Sequence, residues 1–104
     1  MPLPKNYSSI KTLQGEFLEF QEKVFGQREA NFFSLELCGE AGELANLEKK
    51  IWKASRKVSK EELSDEAADV FIAVMNYANS RGIDLASAVE NKMQKIYEKQ
   101  LSKE

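Results

Sequence analysis

Apolar residues recur with helical spacing in four stretches of the chain, and nowhere do they alternate with polar residues as in a half-buried strand. The clearest stripe joins Ile10, Leu13, Phe17, Phe20 and Val24. The four predicted helices run from Ser8 or Ser9 to Phe25, from Glu29 to Arg56, from Ser59 to Ser80, and from Leu85 to Leu101. Short connections favour antiparallel neighbours, so the pattern predicts an all-α, four-helix bundle-like protomer with a single domain over residues 1–104.

Residues that start or stop helices stand at the ends of these stretches. Ser59 and Glu62 have the spacing of a capping box, and Asp84 is a favourable N-cap for the last helix. Gly26 and Gly82 are placed to end the first and third helices.

Two glycines lie inside the second predicted helix. Gly39 and Gly42 flank Glu40, and a glycine in a helix interior costs about 0.5–1 kcal/mol relative to alanine. This placement favours close approach by a neighbouring helix or a ligand, with tolerated local weakness as the alternative. Cys38, in the same apolar stretch, is expected to be a buried, reduced thiol.

Composition narrows the possible chemistry. The 104 residues are 42% hydrophobic and 31% charged, as in an ordinary folded protein, and the net charge of −2 argues against a general nucleic-acid binder. The chain has no histidine and one cysteine, which excludes an internal disulfide, histidine-based catalysis and most zinc sites. Carboxylates, lysines and tyrosines are left to carry any reaction.

The sequence also gives an expectation for location. The first eleven residues contain no apolar block typical of a secretory signal, and no run approaches the roughly 18 apolar residues of a membrane span. We therefore expect a cytoplasmic protein without membrane contact.

Four acids form two pairs, Glu40 with Glu43 and Glu66 with Asp69. Each pair is spaced i, i+3, which places both side chains on one helix face with Cβ atoms about 5–6 Å apart. Their neighbours are small or apolar, and carboxylates that point into a helix bundle are costly unless they are paired or bind a metal. Four carboxylates from two facing helices predict a site for Mg²⁺ or Mn²⁺, with solvated helix faces as the alternative.

These residues carry a family resemblance. The segment C-G-E-A-G-E-L-A at 38–45, followed by D-E-A-A-D-V at 65–70, resembles the MazG-like branch of the all-α nucleoside triphosphate pyrophosphohydrolases. That family is marked by an E-x-x-E pair and a later E-x-x-D pair on adjacent helices, and here 22 residues separate Glu43 from Glu66. The resemblance runs from about Phe32 to Lys99, and the last helix lacks an arginine often found there.

The resemblance implies a Mg²⁺-dependent attack of water on a nucleoside triphosphate, which releases the monophosphate and pyrophosphate. House-cleaning of the nucleotide pool is the implied role. The four acids would hold the metal, and either Glu40 or Glu43 would polarise the attacking water. A homodimer or a dimer of dimers is also implied, and apolar residues on more than one side of the helices favour the same assembly.

Other polar residues are candidates for substrate binding. Lys92 and Lys95, spaced i, i+3 on the last helix, and Lys50, beyond the first acidic pair, are expected to contact triphosphate oxygens as point charges. Ordinary surface lysines are the alternative. Asn76 lies two turns after Asp69 on the same side of its helix, where it would contact a ligand or satisfy a helix end.

Two other functions compete with hydrolysis. The chain would be a catalytically silent relative that binds nucleotides, or a helical module that binds a partner protein through its apolar stripes. The second rival does not explain four inward carboxylates.

Overall fold

The computed structural model describes residues 3–103, and helices account for 77% of them, without any strand. The four helices are α1 (Ser8–Val24), α2 (Ala30–Trp52), α3 (Lys60–Ser80) and α4 (Leu85–Leu101). The all-α prediction is confirmed, and three of the four helices match their predicted bounds to within a residue or two.

The predicted N-terminal caps of α3 and α4 are present. Ser59 Oγ accepts a hydrogen bond from the Glu62 backbone N–H at 3.1 Å, and the Glu62 carboxylate accepts one from the Ser59 N–H at 2.9 Å. The Asp84 carboxylate accepts from the Ser87 N–H at 3.3 Å. These bonds satisfy N–H groups that the first helical turn leaves without partners.

Glycines end α1 and α3, as predicted. Gly26 has φ = 80° and Gly82 has φ = 64°, in the left-handed region that glycine adopts without a Cβ clash. After α3 the Ile83 N–H donates to the Ala78 carbonyl at 2.9 Å, and the Gly82 N–H donates to the Asn79 carbonyl. This is a Schellman motif, which turns the chain sharply toward α4.

The predicted end of α2 is wrong, because the helix stops at Trp52 instead of Arg56. Ala54 takes the left-handed conformation with φ = 53°, and the Ser55 N–H donates to the Lys50 carbonyl at 3.1 Å. The helix therefore ends in the same motif as α3, but with alanine at the position where glycine is usual. No glycine or proline marks this end in the sequence.

Packing is uneven among the four helices. α2 and α3 form the most extensive pair, α1 packs on α3, and α4 packs on α1. The core comprises Phe33, Leu47, Ala73, Met75, Ala78 and Ala86. The molecule is flat, with extents of 45 × 41 × 22 Å. Its radius of gyration is 16.6 Å, whereas a compact domain of this length has about 13 Å.

The buried side chain of Gln14 joins α1 to the turn between α3 and α4. Its Nε2 donates to the Ile83 carbonyl at 2.6 Å, and its Oε1 accepts from the Leu85 N–H at 3.1 Å. Asn79 Nδ2 donates to the backbone carbonyl of Gln14 at 3.0 Å. This network fixes the point at which α4 begins.

The outer face of α2 differs from expectation. Apart from the neighbouring backbone of α2 itself, no described atom lies within 4 Å of the position that a Cβ would take at Gly39 or Gly42. The predicted close approach by a neighbouring helix is therefore wrong within this chain, and approach by a ligand stays a prediction. Cys38 is exposed instead of buried. Gly39, Gly42 and Cys38 are all exposed, whereas Phe33 and Leu47 of the same helix are buried.

Across residues 3–103, no helix combines the length and the apolarity that crossing a bilayer requires.

Candidate metal centre and adjoining cavity

Three carboxylates meet where α2 and α3 pack together. One oxygen from each of Glu40, Glu43 and Glu66 lies within 4.8 Å of the others. The i, i+3 spacing places Glu40 and Glu43 on one face of α2, and Glu66 extends from α3 toward them. Glu40 and Glu66 are half-buried, whereas Glu43 is exposed.

Two oxygens of this cluster have no partner. Within residues 3–103, Oε2 of Glu40 and Oε2 of Glu66 are the buried side-chain oxygen or nitrogen atoms that form no hydrogen bond. A buried acceptor without a partner costs free energy, more so when it carries charge. No lysine or arginine among the described residues lies within 4.0 Å of any cluster oxygen. The described residues therefore supply no counter-charge to this cluster.

The cluster perturbs its own ionisation. Burial raises the pKa of Glu66 from 4.5 to about 7, and the carboxyl groups of Glu43 and Glu40 contribute to the rise. The pKa of Glu40 is raised as well, mainly by burial and to a smaller extent by the negative charges of Asp69 and Glu43. Both shifts mean that full ionisation is unfavourable without a cation, as expected of carboxylates that share a site.

Asp69 adds a fourth carboxylate beside the cluster. It follows Glu66 by three residues on α3, and its charge acts on Glu40. It does not belong to the group of three oxygens within 4.8 Å. The structure thus brings three of the four predicted ligands together and places the fourth next to Glu40. These donors are all hard carboxylate oxygens, which suit Mg²⁺ or Mn²⁺ and do not favour zinc.

A cavity opens beside the acids. Its volume is about 330 Å³, within the range of small-molecule sites in proteins. Its wall combines apolar side chains, two amides, one arginine and three carboxylates; the lining residues are Gln21, Phe25, Arg28, Phe32, Glu36, Glu40, Asp69, Ile72, Ala73 and Asn76. The cavity therefore brings aromatic side chains, hydrogen-bonding groups and two of the four paired acids into one wall.

The sequence matches one known protein family over nearly its whole length. A family model described as the MazG nucleotide pyrophosphohydrolase domain matches residues 6–101. The chain belongs to the MazG nucleotide pyrophosphohydrolase family. The match contains both acidic pairs and all four helices in full. No curated protein and no solved structure matches the chain.

The predicted substrate contacts of this MazG domain lie in three different places. Asn76 lines the cavity together with Asp69 and is half-buried, and its contact with a ligand stays a prediction. Lys50 is exposed on α2, seven residues after Glu43, and so lies on nearly the same side of the helix. Lys92 and Lys95 are exposed on α4, which packs on α1, and neither lines the cavity. A single chain does not bring those two lysines to the cavity.

Sequence reasoning did not single out several residues that line the cavity. Gln21 and Phe25 come from the end of α1, Arg28 from the connection to α2, and Phe32 and Glu36 from the first turns of α2. No local motif marks them, because they converge only when α1 packs on α3. The one available signal was their spacing, since Arg28, Phe32, Glu36 and Glu40 follow one another at intervals of four residues.

Proposed function

We propose that this protein hydrolyses nucleoside triphosphates to the monophosphate and pyrophosphate in a Mg²⁺-dependent reaction. The observation that carries the proposal is the direct junction of the acidic cluster with the 330 Å³ cavity. A nucleotide has an aromatic base at one end and a chain of anionic phosphates at the other. The cavity wall contains both kinds of group, and Phe32 precedes Glu40 by eight residues, which separates them by about 12 Å along α2.

The positions along α2 favour one orientation of the substrate. Phe32 precedes Glu40 by eight residues, about 12 Å along the helix axis, and Lys50 follows Glu43 by seven residues, about 10 Å in the opposite direction. A base beside Phe32 would place the α-phosphate near the acids, and the β- and γ-phosphates would extend toward Lys50. Cleavage at the acids would then separate the monophosphate from pyrophosphate.

Glu40, Glu43, Glu66 and Asp69 would hold the metal. Bound Mg²⁺ would neutralise phosphate charge and help to orient the triphosphate. Glu40 or Glu43 would accept the proton of the attacking water, and Glu43 is the more exposed of the two to solvent. The water oxygen bonds to the α-phosphorus, the bond to the bridging oxygen breaks, and pyrophosphate leaves with that oxygen.

We also propose that the protein assembles as a homodimer or a dimer of dimers. The accessible surface of one chain is 7994 Å², against about 5,900 Å² for a compact monomer of 11.8 kDa. Leu35 is 71% exposed and Trp52 is 80% exposed, which a soluble monomer usually avoids. In sedimentation equilibrium at micromolar concentration we expect at least twice the protomer mass, and an active species of one protomer mass would contradict the assembly.

The cellular role that fits this activity is removal of non-standard or excess nucleotides in the cytoplasm, without nucleic-acid or membrane partners. A panel of standard and damaged nucleoside triphosphates, assayed with Mg²⁺ and resolved by chromatography, tests the reaction. We expect monophosphate and pyrophosphate in equal amounts from at least one substrate. Diphosphate and inorganic phosphate would contradict the proposed bond cleavage, and binding without turnover would favour a silent nucleotide-binding relative.

A further inference from the structure

Arg28 occupies a distinctive place in the cavity wall. It lies in the connection just before α2, with its guanidinium carbon 5.4 Å from the centroid of the Phe32 ring, and both residues line the cavity. Among the described residues, no carboxylate lies within 4.0 Å of its guanidinium nitrogens, and its side chain donates no hydrogen bond. The guanidinium group is therefore stacked on an aromatic wall with its N–H donors available.

The position of Arg28 along the chain separates it from the phosphate end of the site. From the start of α2 at Ala30 to Glu40 the helix rises about 15 Å. A triphosphate held at the acids and extended toward Lys50 would not reach Arg28. The part of a nucleotide that meets Arg28 is therefore the base.

The other polar groups near Phe32, where the base would lie, would distinguish little between different bases. Gln21 and Asn76 both line the cavity, and an amide offers donors and an acceptor, so it can pair with any base. Glu36 lies one turn nearer to the acids than Phe32 and would face the sugar. Arg28 offers donors alone, in a planar fork that matches paired acceptors such as O6 and N7 of guanine. Adenine presents an amino donor where guanine presents O6.

We propose that Arg28 selects the base of the substrate, favouring bases with a carbonyl oxygen over adenine. This inference rests on the proposed function, because it assumes that a nucleotide occupies the cavity. The substrate class would then be oxo-base nucleotides, with Phe32 holding the guanidinium plane in position for the base edge.

Inosine and adenosine nucleotides provide the sharpest test, because they share sugar and purine skeleton and differ at C6, which carries a carbonyl or an amino group. We expect kcat/KM of the wild-type protein to be about tenfold or more higher for ITP than for ATP. In Arg28→Ala the two values should agree within about threefold, and Arg28→Lys should also lose most of the preference, because lysine lacks the planar fork. Arg81→Ala, which removes an exposed arginine that does not line the cavity, should leave the ratio unchanged.

Binding measurements distinguish a failure of this inference from a failure of the proposed hydrolysis. Calorimetric Kd values for IMP and AMP in the absence of metal report on Arg28 without any turnover, and we expect tighter binding of IMP by the wild-type protein but not by Arg28→Ala. Equal binding of IMP and AMP by the wild-type protein, or an unchanged ratio in Arg28→Ala, would overturn the selection by Arg28. A wild-type protein that prefers IMP but releases no pyrophosphate from any triphosphate would overturn only the hydrolysis.

Discussion

Oε2 of Glu40 on α2 and Oε2 of Glu66 on α3 are both buried, and neither has a hydrogen-bond partner within residues 3–103. The two residues are held together by the packing of α2 against α3, and their carboxylates approach within 4.8 Å. The helix pair thus keeps two acids close although they repel each other when ionised. This repulsion lowers the stability of the folded chain when no counter-charge is bound between the two carboxylates.

The stability of the metal-free protein should depend on pH in a specific way. Glutamate in the unfolded chain titrates near 4.5, whereas Glu66 in the folded chain titrates near 7, and the pKa of Glu40 is raised as well. Between these values the folded state binds more protons than the unfolded state, so the free energy of unfolding should fall as pH rises from about 4.5 to about 7. Urea denaturation in the presence of EDTA measures this directly.

At lower pH the free energy of unfolding should instead rise with pH, because Arg56 and the Ser59 N–H hold the pKa of Glu62 at about 2. Stability from that carboxylate is complete above its unfolded value and is lost as pH falls toward 2. In Glu66→Gln the free energy of unfolding should fall less between pH 4.5 and 7. Its loss below pH 4.5 should be unchanged. A wild-type protein whose stability rises steadily from pH 4.5 to 7 would contradict the raised pKa of Glu66.

Magnesium should restore the stability that the metal-free protein loses between pH 4.5 and 7. A ligand that binds only the folded state stabilises it, by about 2.7 kcal/mol at a hundred times Kd. We expect Tm at pH 7.5 to rise with Mg²⁺ concentration in the wild-type protein and in Glu48→Gln, which removes an exposed acid of α2 outside the cluster. Glu66→Gln should lose most of the rise. An equal rise in both variants would show that Mg²⁺ acts elsewhere.

The end of α2 offers a test of backbone strain. Ala54 has φ = 53°, where an L side chain crowds the backbone and glycine does not. Ala54→Gly should therefore stabilise the protein by about 1 kcal/mol in urea denaturation. Ala45→Gly, inside the same helix, is the matched control and should destabilise by about 0.5–1 kcal/mol. Destabilisation by both changes would contradict the left-handed conformation of Ala54.

Gln14 should be essential for docking α4. Gln14→Ala leaves the Ile83 carbonyl and the Leu85 N–H, both partly buried, without their partner, and an unpaired group of this kind costs about 1–2 kcal/mol. We expect a loss of about 2–4 kcal/mol, together with faster hydrogen exchange in α4 than in α3. Gln100→Ala, at an exposed position of α4, should change stability by less than about 0.5 kcal/mol. Unchanged exchange in α4 would argue that Gln14 is not its anchor.

Local chemistry made most of the fold predictable. Ser59, Asp84 and Gly82 act within a single turn of chain, so their roles follow from residue type and spacing. The end of α2 escaped prediction because Ala54 has no intrinsic preference for the left-handed region. The prediction failed where the backbone conformation is imposed by the surrounding chain.

The candidate site shows the same division. The two acidic pairs could be found because each lies on one helix, within one turn. Arg28 and Gln21 could not, because they meet Asn76 only through the packing of α1 on α3. For the same reason Lys92 and Lys95 stay predictions: their spacing on α4 is visible in the sequence, but the neighbour of α4 is not.

Mg²⁺-dependent pyrophosphate release by the wild-type protein, measured beside Glu43→Ala and Asp69→Ala, tests the central claim most directly. We expect turnover of at least one nucleoside triphosphate that requires Mg²⁺, and a loss of at least about a hundredfold in each variant, since acid–base or metal-ligand groups contribute on that scale. Circular dichroism should show that both variants stay folded, because each removes a carboxylate from a repulsive site. Pyrophosphate release that continues without Mg²⁺, or at full rate in either folded variant, would contradict the account.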